Sequence, residues 1–230
     1  LGVIGEGSAA ANIDGTWYGS LEDVDAESGY WVQSNMGEEL VSVCGDPSDD
    51  VEYTLHEANN LISYAYPGSQ DIGDALPDDT EDAVYAIVGE GVASINLGSM
   101  WAGSLEAFEG GNGYWVIVLE EFTFSFGGTE EGLARKAQQS IIRPVPELYN
   151  FVQSNQQAFY FVESATIDNK PLDPDDIIIA YNNDMVVGAR YWAGDYTDIP
   201  AMGNDNSDLT KDYCTSSSTP TFRVVLAFEL

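Results

Sequence analysis

Gly29-Tyr30-Trp31-Val32 recurs as Gly113-Tyr114-Trp115-Val116, and lining up the two copies aligns the residues upstream of them as well. Ile4-Gly5-Glu6-Gly7 falls on Val88-Gly89-Glu90-Gly91, Asn12-Ile13 on Asn96-Leu97, Trp17 on Trp101, and Gly19-Ser20-Leu21-Glu22 on Gly103-Ser104-Leu105-Glu106. The offset is 84 residues throughout, with no gap, and 14 of the 29 positions from 4 to 32 are identical. Self-similarity at a fixed period is the signature of a repeated structural unit, so the stretch reads as part of an internal duplication.

The segments around these motifs read as strands. Trp17–Leu21 and Gly29–Gln33 are rich in aromatic and β-branched residues, and Asp14-Gly15 and Glu27-Ser28-Gly29 supply turn signals between them. Further along, Asn60–Tyr66 and Ala83–Val88 read as strands, and Phe122–Phe126 alternates Phe with Thr and Ser as a strand with one buried and one wet face does. Between them, Asp71–Leu76 reads as one or two helical turns ended by Pro77. Thr129–Gln139 reads as a short capped helix, and Pro144-Val145-Pro146 as a stiff joint. Beyond it, Gln157–Glu163, Ala165–Ile167, Ile177–Tyr181, Met185–Ala189 and Phe222–Phe228 read as strands. Turn residues separate several of them at the roughly 8 to 12 residue spacing of a β-sandwich.

The expected fold is therefore mainly β: duplicated small β-rich modules followed by an immunoglobulin-like β-sandwich. Residues 1–50 form the second half of a first module, 51–128 a complete second module, 129–146 a linker with a short helix, and 147–230 the sandwich. Set against the complete module, the first lacks a counterpart of Tyr53–Asp82. Such a counterpart either lies upstream in a longer chain, which is the expectation, or comes from another subunit, since an open sheet edge invites uncontrolled pairing.

Charge excludes whole classes of function. Of 230 residues, 39 are acidic and 7 are Lys or Arg, a formal net charge of −32, and no Lys or Arg occurs before Arg135. Nucleic-acid binding needs a basic stripe to displace counterions, and anionic membranes need the same, so neither is expected. The 44% apolar content with five Trp, thirteen Tyr and nine Phe builds real cores, unlike a disordered acidic tail. Self-repulsion on this scale is screened over about 4 to 5 Å at roughly 0.5 M salt, which suits a protein of seawater or another cation-rich medium. No apolar run reaches the roughly 18 residues needed to cross a bilayer as a helix. Cys44 and Cys214 would close a loop of about 170 residues, worth roughly 4 to 5 kcal/mol in the chain-entropy model, but two unpaired thiols are the expectation.

Two resemblances follow from these residues. The module with Asn60-Leu61-Ile62-Ser63 and a closing Gly113-Tyr114-Trp115-Val116 resembles a β-rich repeat of large secreted and surface proteins of marine and Bacteroidetes-type bacteria. The run Asp168-Asn169-Lys170-Pro171-Leu172-Asp173-Pro174-Asp175-Asp176-Ile177-Ile178-Ile179-Ala180-Tyr181 resembles the Asp-Gly-x-x-Leu-x-x-Gly-Asp-x-Ile-x-Ala-Phe signature of an immunoglobulin-like module that often follows such repeats. Here Asn169 and Asp175 stand where that family has glycine, and both residue types tolerate positive φ. Such modules occur in adhesins, secreted fibres and virion proteins of marine phages. The resemblance implies a scaffold or binding role and brings no catalytic residues with it.

Catalytic chemistry finds little to build on. His56 is the single His, so neither a His-based triad nor a His-rich metal site can be assembled, and it is expected to be a plain strand residue. Among 39 acids, pairs such as Glu120-Glu121 and Asp78-Asp79 arise by chance and do not indicate glycosidase chemistry. The Gly-rich runs lack the helix and the basic residue of a phosphate cradle. Calcium is the one cofactor to weigh, at Asn204-Asp205-Asn206-Ser207-Asp208 or at Asp173, Asp175 and Asp176; a solvated acidic loop is the favoured reading, since the EF-hand spacing is missing. Trp17, Trp31, Trp101 and Trp115 could be sugar platforms, but their recurrence at equivalent places favours core packing.

The expected function is that of a non-enzymatic structural component of an extracellular or virion-surface assembly: a fibre, decoration or filament subunit. Its expected partners are other subunits of the same assembly, in a homo-oligomer. The alternative is a cell-surface or carbohydrate-binding adhesin that contacts surface glycans.

Overall fold

Asp14 and Gly15 both have positive φ, 51° and 85°, the two-residue turn whose twist matches that of the strands it joins. They connect β2 (Ser8–Ile13) to β3 (Thr16–Gly19), with Ile13 opposite Thr16. On the other edge of β2 lies β1 (Gly2–Gly5), and beyond it β4 (Trp31–Gln33), giving a four-stranded antiparallel sheet in the order β3-β2-β1-β4. The computed structural model describes residues 2–34, 51–127 and 142–229. The helix read over Thr129–Gln139 and Cys44 lie outside the described residues.

The chain is mainly β, with several antiparallel sheets. After β5 (Tyr53–Leu55), β6 (Ala58–Ser63) and β7 (Ser69–Asp71) comes α1 (Ile72–Ala75), one turn long and followed by Pro77, as read from the sequence. Then follow β8 (Val84–Val88), β9 (Ala93–Asn96), β10 (Trp101–Gly103), β11 (Ala107–Glu109), β12 (Gly113–Val118) and β13 (Phe122–Phe124). A five-stranded sheet runs in the order β10-β9-β8-β12-β6, and β11 pairs β7 as β13 pairs β5.

The ladder of β1 on β4 recurs 84 positions on, residue for residue. Ile4 faces Trp31, Val3 faces Val32 and Gly2 faces Gln33; Val88 faces Trp115, Ile87 faces Val116 and Ala86 faces Ile117. The tyrosine hydroxyl beside each ladder holds the corresponding amide: Asp25 N–H donates to Tyr30 at 3.1 Å, and Glu109 N–H to Tyr114 at 2.8 Å. Gly19 (φ 149°) and Gly103 (φ 135°) are needed for the same reason, because a Cβ on either would overlap the carbonyl oxygen of Ala9 or of Ala93.

Within the described residues the chain divides into two units. The first takes residues 2–34, 51–89, 96–101 and 106–127; the second takes 90–95, 102–105 and 142–229. The core of the first is a cluster of rings. Phe108 meets Tyr114, Phe126 and Tyr64 with centroids 5.0, 4.9 and 5.7 Å apart, and Tyr53 meets Phe124 and Phe126 at 5.3 and 5.1 Å. The edge-to-face and offset geometries seen here suit the ring quadrupoles. Burial, with neighbouring Tyr66, Tyr53 and Tyr114 adding to it, pushes the Tyr64 phenol up to about 12, so it stays neutral.

In the second unit β14 (Gln157–Val162) pairs β19 (Thr197–Met202), β15 (Thr166–Ile167) pairs β16 (Lys170–Pro171), and β17 (Ile177–Asn182) lies between β18 (Met185–Tyr191) and β20 (Thr221–Val225). Asp168 and Asn169 turn at φ 51° and 63°, so the turn survives without the glycine. β17 buries both faces: Ile178 and Ala180 pack with Val187, Trp192, Ile199 and Met202, while Ile177 and Ile179 pack with Ala189. β19 escapes the sequence reading because Pro200 argues against a strand, yet among the described residues β19 pairs only with β14, and Pro is tolerated on an edge strand.

Gly188 sits where β18 crosses β19 so closely that a Cβ would overlap the Pro200 carbonyl oxygen. Gly188→Ala should therefore cost about 2 to 3 kcal/mol or more by urea denaturation, as overpacking of a rigid contact does. Gly111→Ala, at φ 86° with open space around it, should cost only about 1 kcal/mol.

Candidate functional site

Alternation along β4 and β1 puts Val32 and its partner Val3 on one face of the four-stranded sheet. Their counterparts Val116 and Ile87 are fully buried. Val32 is 56% exposed where Val116 is 0%, and Val24 is 59% exposed where its counterpart Phe108 is 0%. Tyr30 is half-buried against the buried Tyr114. An apolar face whose counterparts 84 positions on are buried is thus exposed here.

Core packing of the four repeated Trp residues is corrected by the structure. Trp17 is 48% exposed, and Trp31, Trp101 and Trp115 are half-buried. The alternation that buries Tyr114, Val116 and Val118 turns Trp115 to the other side of the sheet. Trp101 donates its indole N–H to Glu81 Oε1 at 2.5 Å. The Trp that does enter a core is Trp192.

His56 does not lie in a strand but just after β5. Its Nε2 lies 2.6 Å from Glu6 Oε1 and its Nδ1 2.8 Å from the Glu57 carbonyl oxygen, while Glu6 Oε2 accepts the Leu61 N–H at 2.8 Å. Both acceptors favour the protonated ring, the Glu57 carbonyl most, and raise its pKa above 6.5.

The second unit holds a buried ion pair. Arg190 Nη2 lies 3.0 Å from Asp198 Oδ2, its Nε donates to the Asp198 carbonyl at 3.0 Å and Nη2 to the Gly91 carbonyl at 2.8 Å, and Ser104 Oγ donates to Asp198 Oδ2 at 2.6 Å. Burial pushes the guanidinium down and the carboxyl up, but Arg starts so far above neutrality that it stays charged. Sequence reasoning missed this pair. The available signal was a lone cation inside the apolar run Val186–Trp192.

Neither acidic segment converges on a cation. Asp205 Oδ1 accepts the Ser207 N–H at 3.1 Å and the Thr210 hydroxyl, and Asn204 Oδ1 accepts the Asn206 N–H at 2.7 Å. Burial alone would raise the Asp205 carboxyl, but the Thr210 and Ser207 hydrogen bonds hold it below its usual value. Asp176 accepts the Asp173 and Ala227 N–H groups at 2.8 and 2.9 Å, while Asp175 pairs with Arg143 at 2.6 Å. Among the described residues no group of three or more His, Cys, Asp or Glu could hold a metal ion. Cys214 is half-buried with a free thiol.

Comparison with known proteins finds no match among protein-family models, curated proteins or solved structures.

Two measurements follow from the charged groups. Arg190→Met leaves Asp198 as an uncompensated buried charge and should cost about 3 to 5 kcal/mol in urea denaturation, and adding Asp198→Leu should recover most of it. A cost below about 1 kcal/mol for the single variant would show the pair to be dispensable. Because the folded pKa of His56 is raised, its contribution to stability is fully present below 6.5 and is lost as pH rises through the raised value. His56→Gln should flatten that part of the stability profile, and an NMR titration of the ring should give a midpoint above 6.5.

Proposed function

We propose that the chain is a structural component of an extracellular or virion-surface assembly, built from a duplicated β module and an immunoglobulin-like sandwich and serving as a rigid spacer and contact surface rather than as an enzyme. The observation that carries this reading is the recurrence at 84 residues of the β1–β4 ladder, its tyrosine–amide hydrogen bond and its close-approach glycine. Repetition that preserves backbone register multiplies a framework and not a reactive centre. The sandwich reading is supported by the turn at Asp168-Asn169 and by the shared core of β17, β18 and β19. An acidic surface suits packing among many copies in a cation-rich medium, where the charge is screened and solubility is kept.

A second reading, a carbohydrate-binding adhesin, is favoured by one feature: Trp17 and Tyr18 on β3 present exposed rings, and flat aromatic faces are what sugars stack on.

The full chain, purified in roughly 0.5 M salt, separates the two. Regular particles or filaments in the electron microscope, with a matching sedimenting species, are expected for the structural subunit. Saturable glycan binding by a monomer, lost in Trp17→Ala without loss of stability, would establish the adhesin instead. A monomer at all concentrations that binds no glycan would overturn both.

A further inference from the structure

We infer that the open face of the four-stranded sheet is a docking site for a strand, and that its occupant is the leading segment of a further repeat of this type: an extended segment with the pattern of Val51–Ala75. This rests on the repeat reading, and the second copy shows what such a face takes. There β12 is flanked on both edges, by β8 and by β6, with Tyr114 opposite Ile62, Trp115 opposite Leu61 and Val116 opposite Asn60. Residues that follow β6 bring the rings that close the face, Tyr64 stacking on Phe108.

The first copy keeps the apolar residues without the cover. Val3, Val24, Tyr30 and Val32 stand where Ile87, Phe108, Tyr114 and Val116 are buried. Among the described residues β4 has one strand partner, β1. The chain's own β6 is not free to fill the place. Along one edge it pairs with β12 over its whole length, and on the other it bridges Ser28 through Ile62, with Gly29 N–H donating to the Leu61 carbonyl at 2.9 Å and Ser63 N–H to the Glu27 carbonyl at 3.0 Å. Transferring the register of β12 sets Asn60 of the incoming segment opposite Val32, Leu61 opposite Trp31 and Ile62 opposite Tyr30. Strand addition of this kind draws affinity from main-chain hydrogen bonds and specificity from alternate side chains.

Electrostatics gives the site a distinctive signature. Residues 1–34 carry six acids and no Lys or Arg, and Val51–Ala75 carries Glu52, Glu57, Asp71 and Asp74 with no Lys or Arg. Two acidic partners that meet through apolar and backbone contacts bind more tightly as salt rises, the reverse of a charge-steered complex.

The test adds a synthetic peptide of sequence Val51–Ala75 to the full chain and follows Trp fluorescence and amide hydrogen exchange. Saturable binding that strengthens at least several-fold between low and roughly 0.5 M salt is expected, together with new protection at Trp31–Gln33. Binding should weaken tenfold or more with Ile62→Asp in the peptide, or with Val32→Asp or Val24→Asp in the protein; both positions are exposed, so neither change should unfold the chain. Three outcomes overturn the proposal: no saturable binding up to millimolar peptide, amides at Trp31–Gln33 already protected without peptide, or protection that depends on protein concentration alone, which would make a second copy the occupant. The repeat reading has its own readout: NMR contacts between Ile4 and Trp31 and between Val88 and Trp115 should be present whether or not the peptide binds, and their absence would sink that reading separately.

Discussion

A β-strand with one face to bury needs a neighbour on each edge and a layer over the face, and in the first unit β12 meets both conditions. β8 and β6 satisfy its backbone, and the rings of Tyr64, Phe108 and Phe126 close the apolar side, so Val116 is fully buried. β4 carries the same Trp-Val pair, Trp31-Val32, with β1 alone beside it among the described residues. The two stretches therefore differ in the supply of partners as well as in sequence, Val24 and Gln33 standing where Phe108 and Ile117 do. Burial of Val32 and Val24 is a property of whatever lies against them.

The second constraint is the scarcity of cations. Each of the three arginines described in the second unit has a specific task. Arg190 neutralises Asp198 and fills carbonyl acceptors where water is excluded, Arg143 pairs with Asp175 and lies 3.7 Å from the Tyr191 ring centre, and Arg223 lies 4.8 Å from that of Tyr181. A guanidinium combines a planar fork with a face that stacks on rings, which a lysine does not. The described residues of the first unit include no Lys or Arg, and its acids turn to hydrogen bonds instead: Glu6 holds the Leu61 amide and His56, Glu81 accepts from the Trp101 indole, and Asp25 accepts the Ser28 amide.

Much of this was readable from the sequence, and the failures have physical causes. The mainly β class, the turn at Asp14-Gly15, the single turn of α1 before Pro77 and strands such as β3, β4, β6, β8, β17 and β18 follow from alternation and turn chemistry. Strand β19 is hidden by Pro200, which is acceptable because among the described residues β19 has a single ladder partner, a tertiary fact. Trp burial was misjudged because repetition shows that a position is constrained without showing which face it is on; the parity relative to Tyr114 and Val116 decides that. His56 looked like a strand residue because its partner Glu6 lies 50 positions away. The Arg190–Asp198 pair joins β18 to β19, and no local pattern announces an ion pair across two strands.

The same reasoning bears on why the open face keeps its character. An exposed valine on an edge strand is a liability, because it invites pairing with any extended chain, and charged residues are the common remedy. Here Val32 on the edge strand stays apolar, with Val3 beside it on β1, while acids crowd the neighbouring loop at Glu22, Asp23, Asp25 and Glu27. That arrangement does not block pairing at the edge. It places a barrier of like charge around a sticky surface, raising the cost of approach for acidic chains at low salt and lowering it as the charge is screened. A face of this kind is selective through its register and its surroundings together, and a partner must match the alternation of Asn60, Leu61 and Ile62 closely enough to outweigh the repulsion.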